Sequence, residues 1–240
     1  MRQRQLTFGL KLPERELYSL SRFCDSEKNR IALKAAKAFG HEKGAVSLII
    51  TGPPKSGKSH LLKGIAISQR PQKTTAYVTC TSLAASEQDR LRRTMMALRK
   101  YKTVCMDDLE NGRNSRIFYE ELFHLYNHLA DRGGRLALSM RMSPAAAKFL
   151  PKYLSTRLLS GMVVNLKRPD ERLRPRILKK LAADRHITLT DGALNYILER
   201  SPRSVEKLME FVEMLDAGVE QRSKRIGLQL IRRVLQSEMR

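Results

Sequence analysis

The stretch that decides the fold runs from Val46 to Ser68. It reads Val46-Ser-Leu-Ile-Ile50, then Gly52-Pro-Pro-Lys-Ser-Gly57-Lys58-Ser59, then a helical pattern to Ser68. A compact apolar run without alternation is the pattern of a parallel strand covered on both faces. The segment after it satisfies G-x-x-x-x-G-K-[ST] where the mechanism requires, behind a strand and opening a helix. Gly52 and Gly57 let the backbone wrap so that its N–H groups face phosphate oxygens, and the helix N-terminus adds partial positive charge. Lys58 is expected to reach the β and γ phosphates and Ser59 to ligate Mg2+. The expected cofactors are therefore ADP or ATP with Mg2+.

Working outward, Thr75–Thr79, Thr103–Met106, Arg135–Ser139 and Met162–Leu166 read as further strands. Helices are expected over Asn29–Phe39, capped by Asp25 or Ser26, over Leu91–Arg99, and over Ile117–Ala130 with Phe118, Leu122, Leu125 and Leu129 on one face. Strands alternating with helices indicate an α/β domain with a parallel sheet. The strand at 103–106 ends in Asp107-Asp108, the acidic partner a phosphate loop needs. Asp107 is expected to hold Mg2+ through water and Asp108 to polarise an attacking water. From Pro169 onward every pattern is helical: 171–184, 191–200, 203–216 and 227–238. The expected organisation is a tail at 1–13, an α/β nucleotide-binding domain at 14–168, and a small all-helical domain at 169–240.

Lys and Arg number 46 against 24 Asp and Glu in 240 residues, a net charge of +22. A surplus of that size makes a polyanion, nucleic acid first, the default partner. The surplus is clumped at Arg90–Lys102 and Arg222–Arg233. Aromatic residues are 6% with no Trp, which disfavours a base-stacking platform. No apolar run approaches the ~18–20 residues of a membrane-spanning helix, and no secretory signal opens the chain. Three scattered cysteines do not make a disulfide framework, and Cys105 reads as a small core residue. His124 and His128 share a helix face, but no third ligand accompanies them. The expectation is a reduced, cytoplasmic, nucleoid-associated protein with no membrane partner.

Beyond these local patterns, the chain resembles the DnaA family within the AAA+ superfamily. Gly52–Leu62, with His60-Leu-Leu after the phosphate loop, is similar to that family's nucleotide site. Phe23 and Asn29-Arg-Ile-Ala32 resemble its N-terminal box, which packs near the adenine. Leu122-Phe-His-Leu-Tyr-Asn127, followed by Arg132-Gly-Gly and a strand, looks like the segment preceding its sensor 1 strand. The similarity runs from about residue 20 to the C-terminus. It implies an AAA+ core with a helical lid. It also implies an arginine finger at Arg157, acting on nucleotide held by a neighbouring subunit, and a sensor 2 arginine at Arg203. Where the family carries an acid after the sensor 1 strand, this chain reads Ser139-Met-Arg141. Ser139 is then the polar group left to sense γ-phosphate, and hydrolysis by the chain alone is expected to be weak.

The opening Gln5-Leu6-Thr7-Phe8-Gly9-Leu10 is similar to the short motif by which proteins dock on the DNA polymerase sliding clamp. In such motifs the Gln amide bonds at a pocket rim while Leu6, Phe8 and Leu10 would fill an apolar groove. The chain stops where the family's lid ends, so no DNA-binding domain is expected after it. Together these features imply an adaptor. It would bind the clamp and, through Arg157, stimulate hydrolysis of ATP held by DnaA, preventing re-initiation of chromosome replication. DNA contact through the basic surface and self-assembly accompany that reading. A second reading stays open: a self-acting AAA+ ATPase that assembles on DNA, such as a helicase loader or mobile-element accessory ATPase. Lys58, Asp107, Asp108 and the +22 charge favour it.

Overall fold

The computed structural model describes residues 18–24, 26–39, 45–68, 74–112, 115–169, 171–200, 205–218 and 225–237. The chain divides into two compact units, 1–168 and 169–240.

The first unit is built on a five-stranded parallel sheet in the order β2-β3-β4-β1-β5. The strands are β1 (Ser47–Thr51), β2 (Thr75–Thr79), β3 (Thr103–Asp107), β4 (Arg135–Met140) and β5 (Met162–Asn165). Every residue of β1 and β3 is buried, as expected of inner strands covered on both faces. The period of two along each strand sorts the core into two layers. Leu48, Ile50, Cys105 and Ala137 pack with α1 (Arg30–Ala38) and α2 (Lys58–Ser68). On the opposite face, Ile49, Val104, Met106, Leu136 and Leu138 pack with α4 (Gln88–Leu98), α5 (Arg116–Asp131) and α6 (Lys152–Leu159). Ser115 caps α5, its hydroxyl accepting the Phe118 N–H at 3.1 Å.

Four elements of this unit have no counterpart in the sequence expectations: a 3-10 turn at Leu20–Arg22, α3 (Cys80–Ala84), a 3-10 turn at Leu109–Gly112, and α6, which carries Arg157. The helix read as Asn29–Phe39 is α1, with Asn29 in a preceding 3-10 turn.

The second unit is a small, mostly helical domain of α7 (Arg174–Ala183), α8 (Asp191–Arg200), α9 (Val205–Gly218) and α10 (Leu228–Ser237). Leu178, Ala193, Ile197, Leu208, Val212 and Ile231 are among its fully buried side chains. It is not helical throughout. Two short segments, β6 (Thr188–Leu189) and β7 (Arg225–Ile226), pair in parallel, with Leu189 opposite Ile226. Thr190 follows β6 and caps α8 by accepting the Ala193 N–H at 3.3 Å. Among the described residues no helix is long and apolar enough to cross a membrane.

Candidate nucleotide site

Residues 52–57 connect β1 to α2 in a conformation that depends on two glycines. Gly52 and Gly57 have φ of 149° and 99°, where L side chains are strained. Both also lack room. A Cβ on Gly52 would fall 2.5 Å from the Leu166 carbonyl oxygen, and one on Gly57 would fall 2.8 Å from the Phe23 ring. Gly57 accepts the first α2 hydrogen bond, from Leu61 N–H at 3.0 Å. The backbone N–H groups before Leu61 therefore have no partner within the helix and open into the loop.

Lys58 is buried, and its Nζ donates to the carbonyls of Gly52 and Pro53, each at 3.0 Å. Burial holds its pKa below the ordinary lysine value, although Asp108, Glu110 and Asp107 pull the other way. The ammonium has three donors, so one remains for a phosphate oxygen. Ser56 Oγ is buried with no hydrogen-bond partner. Ser59 lies half-buried one residue beyond Lys58. Helix-end N–H groups, an ammonium and an orphaned hydroxyl are the donor set that a polyphosphate satisfies.

The acidic side is built by β2, β3 and β4 together. Asp107 ends β3 and is buried; one carboxylate oxygen accepts from Tyr77 Oη at 2.7 Å and the other from Ser139 Oγ. Ser139 Oγ also accepts the Asp108 backbone N–H at 2.8 Å. Ser139 thus brackets both aspartates from the neighbouring strand. Asp108 adopts φ 57°, in the left-handed region, which turns its side chain out of the strand alternation. Burial and the charges of Asp107 and Glu110 hold its carboxyl above the usual range. Arg141, directly after β4, pairs with Glu110 at 2.9 Å. Among the described residues no three His, Cys, Asp or Glu side chains form a metal cage. Mg2+ here would be held by Ser59, by Asp107 and by phosphate oxygens, the usual way of binding this ion with few protein ligands.

The remaining expected residues occupy different places. His60 lies on α2, its ring 5.5 Å from both Tyr18 and Phe23 and its Nε2 3.2 Å from the Ser19 carbonyl. Asn29 is buried, and its amide brackets the backbone of one residue. Nδ2 donates to Lys167 O at 3.0 Å while Oδ1 accepts from Lys167 N at 2.8 Å. Its polar atoms tie the N-terminal segment to the chain after β5, which is how it shapes the site. Arg157 is exposed on α6, anchored there by buried Leu154 and Leu158. Arg203, Asp25, Gln5, Leu6, Phe8 and Leu10 lie outside the described residues. Sequence reasoning missed Tyr77, Glu110 and the role of Arg141 as its partner; a tyrosine on the strand next to the Asp107 strand was the available signal.

Residues 15–165 match the family described as "Bacterial DnaA ATPAse domain", and residues 170–235 match "Hda, lid domain". The chain is 29% identical over 201 residues to the chromosomal replication initiator protein DnaA of Synechococcus sp. (strain JA-2-3B'a(2-13)), covering 80% of this chain and 43% of that protein. It is 29% identical over 197 residues to DnaA of Leptospira biflexa, covering 76% and 44%. The chain thus spans less than half the length of these relatives. Domain III of the Thermotoga maritima replication initiation protein DnaA superposes with a TM-score of 0.75 at 24% identity, covering 92% of this chain and 96% of that one. AMPPCP-bound DnaA from Aquifex aeolicus gives 0.73 at 19%, covering 93% and 70%. With the first match spanning well over half of its residues, together with the phosphate loop, the Asp107 strand and the parallel sheet, the chain belongs to the bacterial DnaA ATPase domain family.

Proposed function

We propose that this chain is a regulatory adaptor of the Hda kind, which binds ADP or ATP and stimulates hydrolysis of ATP held by DnaA. The observation that carries the reading is the pairing of a DnaA-type ATPase domain with a lid of the Hda type in one chain. Lys58 and the α2 N-terminus would hold the phosphates, and Ser59 and Asp107 the Mg2+. Arg157, exposed and outside the chain's own phosphate loop, would complete the site of a neighbouring DnaA. A guanidinium placed against a transferring phosphoryl group is worth roughly 10³–10⁵ in rate. Gln5, Leu6, Phe8 and Leu10 would dock the chain on the sliding clamp, coupling hydrolysis to replication already under way. The result would be a block on re-initiation.

The test measures hydrolysis of radiolabelled ATP bound to DnaA, with clamp loaded on DNA. Wild-type chain should accelerate it. Arg157→Ala should abolish the acceleration while keeping ADP affinity, and Leu6→Ala with Phe8→Ala should abolish clamp binding. No acceleration by the wild type refutes the reading.

A second reading is favoured by the shared placement of Lys58, Asp107 and Asp108 around the same strand ends. On that reading the chain is a self-acting ATPase that assembles on DNA. DNA-stimulated turnover by the chain alone, lost in Lys58→Ala, would select it.

A further inference from the structure

Because all five strands of the first unit are parallel, their C-terminal ends carry the phosphate loop, Asp107 and Arg141, and their starts lie together on the opposite edge. That second edge is cationic. The turn leading into β3 contributes Arg99, Lys100 and Lys102; the turn leading into β4 contributes Arg132, and Arg135 is the first residue of β4 itself. The two turns touch, since Arg135 N–H donates to the Lys102 carbonyl at 2.8 Å and Thr103 sits opposite Arg135 in the sheet. α1 also ends on this side, bringing Lys37; Phe39, just after it, lies under the Arg135 guanidinium at 5.8 Å. Lys37, Lys100, Lys102 and Arg132 are exposed, and none forms an ion pair with the described residues. The acid next to them in sequence is Asp131, the last residue of α5.

Helix macrodipoles account for a cation in the last turn of a helix. They do not account for Lys102 and Arg135, which lie beyond the helix ends. We propose that this edge of the sheet, centred on Lys100, Lys102 and Arg132, grips the phosphate backbone of duplex DNA. The partner chemistry follows from what the edge offers and what it lacks. Several cations from separate turns, over strands about 4.8 Å apart, suit a rigid, closely repeating anion. The aromatic residue in these turns, Tyr101, packs against the core, so bases have no exposed ring to stack on. Gly133 leaves the turn between Arg132 and Arg135 low, with nothing within 4 Å of where its Cβ would be. A five-residue strand puts this edge about 16 Å from the nucleotide end. Nucleotide and DNA can therefore be held together. In the adaptor reading this keeps the chain on DNA beside the clamp, but the inference stands without that reading.

The test is fluorescence anisotropy of a labelled 30-bp duplex of arbitrary sequence with the full chain, in the absence of clamp and DnaA, across 50–200 mM KCl. Wild type should bind with a steep salt dependence. Lys100→Ala/Lys102→Ala/Arg132→Ala should bind at least 10-fold more weakly at 100 mM, with a log–log salt slope shallower by about 0.9 for each phosphate no longer neutralised. The charge-matched Lys28→Ala/Lys148→Ala/Lys152→Ala, exposed elsewhere on the same unit, should stay within about 3-fold of wild type. ADP affinity and melting temperature of both variants check that each is folded. Absence of wild-type binding, equal losses in the two triples, or tighter binding of a single-stranded 30-mer each overturns the proposal. None of those results bears on clamp docking or on DnaA hydrolysis.

Discussion

Arg141 and Glu110 form an ion pair in which the cation is more than half exposed and the carboxylate is nearly buried, at 2.9 Å. The pair answers a local excess of acid. Asp107, Asp108 and Glu110 gather at the end of β3, and Lys58 is the other cation that acts on them there. Arg141→Ala would leave Glu110 buried without its partner. Because the guanidinium is well solvated, the expected cost is about 1–2 kcal/mol, below the range for a fully buried pair. Glu110→Gln in the same background should recover much of it, since the stranded charge is removed. Chemical denaturation of both single variants and the double variant measures the coupling, and strictly additive losses would show that the pair contributes nothing.

Asp108 gives a pH-dependent prediction with a definite sign. Its folded pKa is raised, by burial first and by Asp107 and Glu110 next. The folded state then binds more protons than the unfolded state between the ordinary value of 3.8 and the raised value. Stability falls as pH rises through that window. Asp108→Asn removes the penalty and suits the left-handed backbone at φ 57°. It should raise the melting temperature at pH 7 by about 2–4 °C, equivalent to about 1 kcal/mol in a protein of this size. The gain should vanish below pH 3.8. Differential scanning calorimetry across pH reads both halves.

These two features mark where the sequence stops being readable. β1, β3 and β4 were placed to within a residue or two because inner parallel strands are unbroken apolar runs. The phosphate loop and Asp107 were placeable because each is a local pattern at a strand end. α3 and α6 span five and eight residues, too few for a 3.6-residue period to repeat convincingly. The two-residue strands of the lid carry no period at all. In the site, Tyr77 reaches Asp107 because Thr79 is its partner in register and Tyr77 sits two residues back on the same face. That hydrogen bond spans 30 residues and depends on register. Asn29 and Lys167 are 138 residues apart, and nothing near either announces the other.

Lys58 should bind phosphate best as an ammonium, and burial works against that form. Its folded pKa is lowered, so apo stability rises as pH climbs from that value towards 10.5, where the unfolded chain also loses the proton. A bound polyphosphate reverses the preference and holds the proton on. Nucleotide affinity should therefore weaken as pH rises through that window, accompanied by proton uptake on binding. Isothermal titration in buffers of different ionisation enthalpy detects it. Lys58→Ala should remove the pH dependence and lower ADP affinity about 100-fold, the equivalent of one or two charge-assisted hydrogen bonds. An unchanged affinity in this variant would remove the phosphate loop from the nucleotide site.

Ser139 is the most heavily committed hydroxyl of the site, donating to Asp107 and accepting the Asp108 N–H while fully buried. Ser139→Ala would leave a buried carboxylate oxygen and a backbone N–H unpaired at once. The expected destabilisation is about 2–4 kcal/mol, since orphaned buried groups cost more than a hydrogen bond contributes when made. Asp107 would keep only Tyr77 as a donor, so its carboxylate should also lose orientation. Mg2+-dependent nucleotide binding should then weaken more than binding in excess EDTA. A hydroxyl that acted mainly by touching γ-phosphate would give the opposite pattern, with stability nearly unchanged and discrimination between ATP and ADP lost. Thermal denaturation together with paired ATP and ADP titrations separates the two, and the hydrogen bonds favour the first.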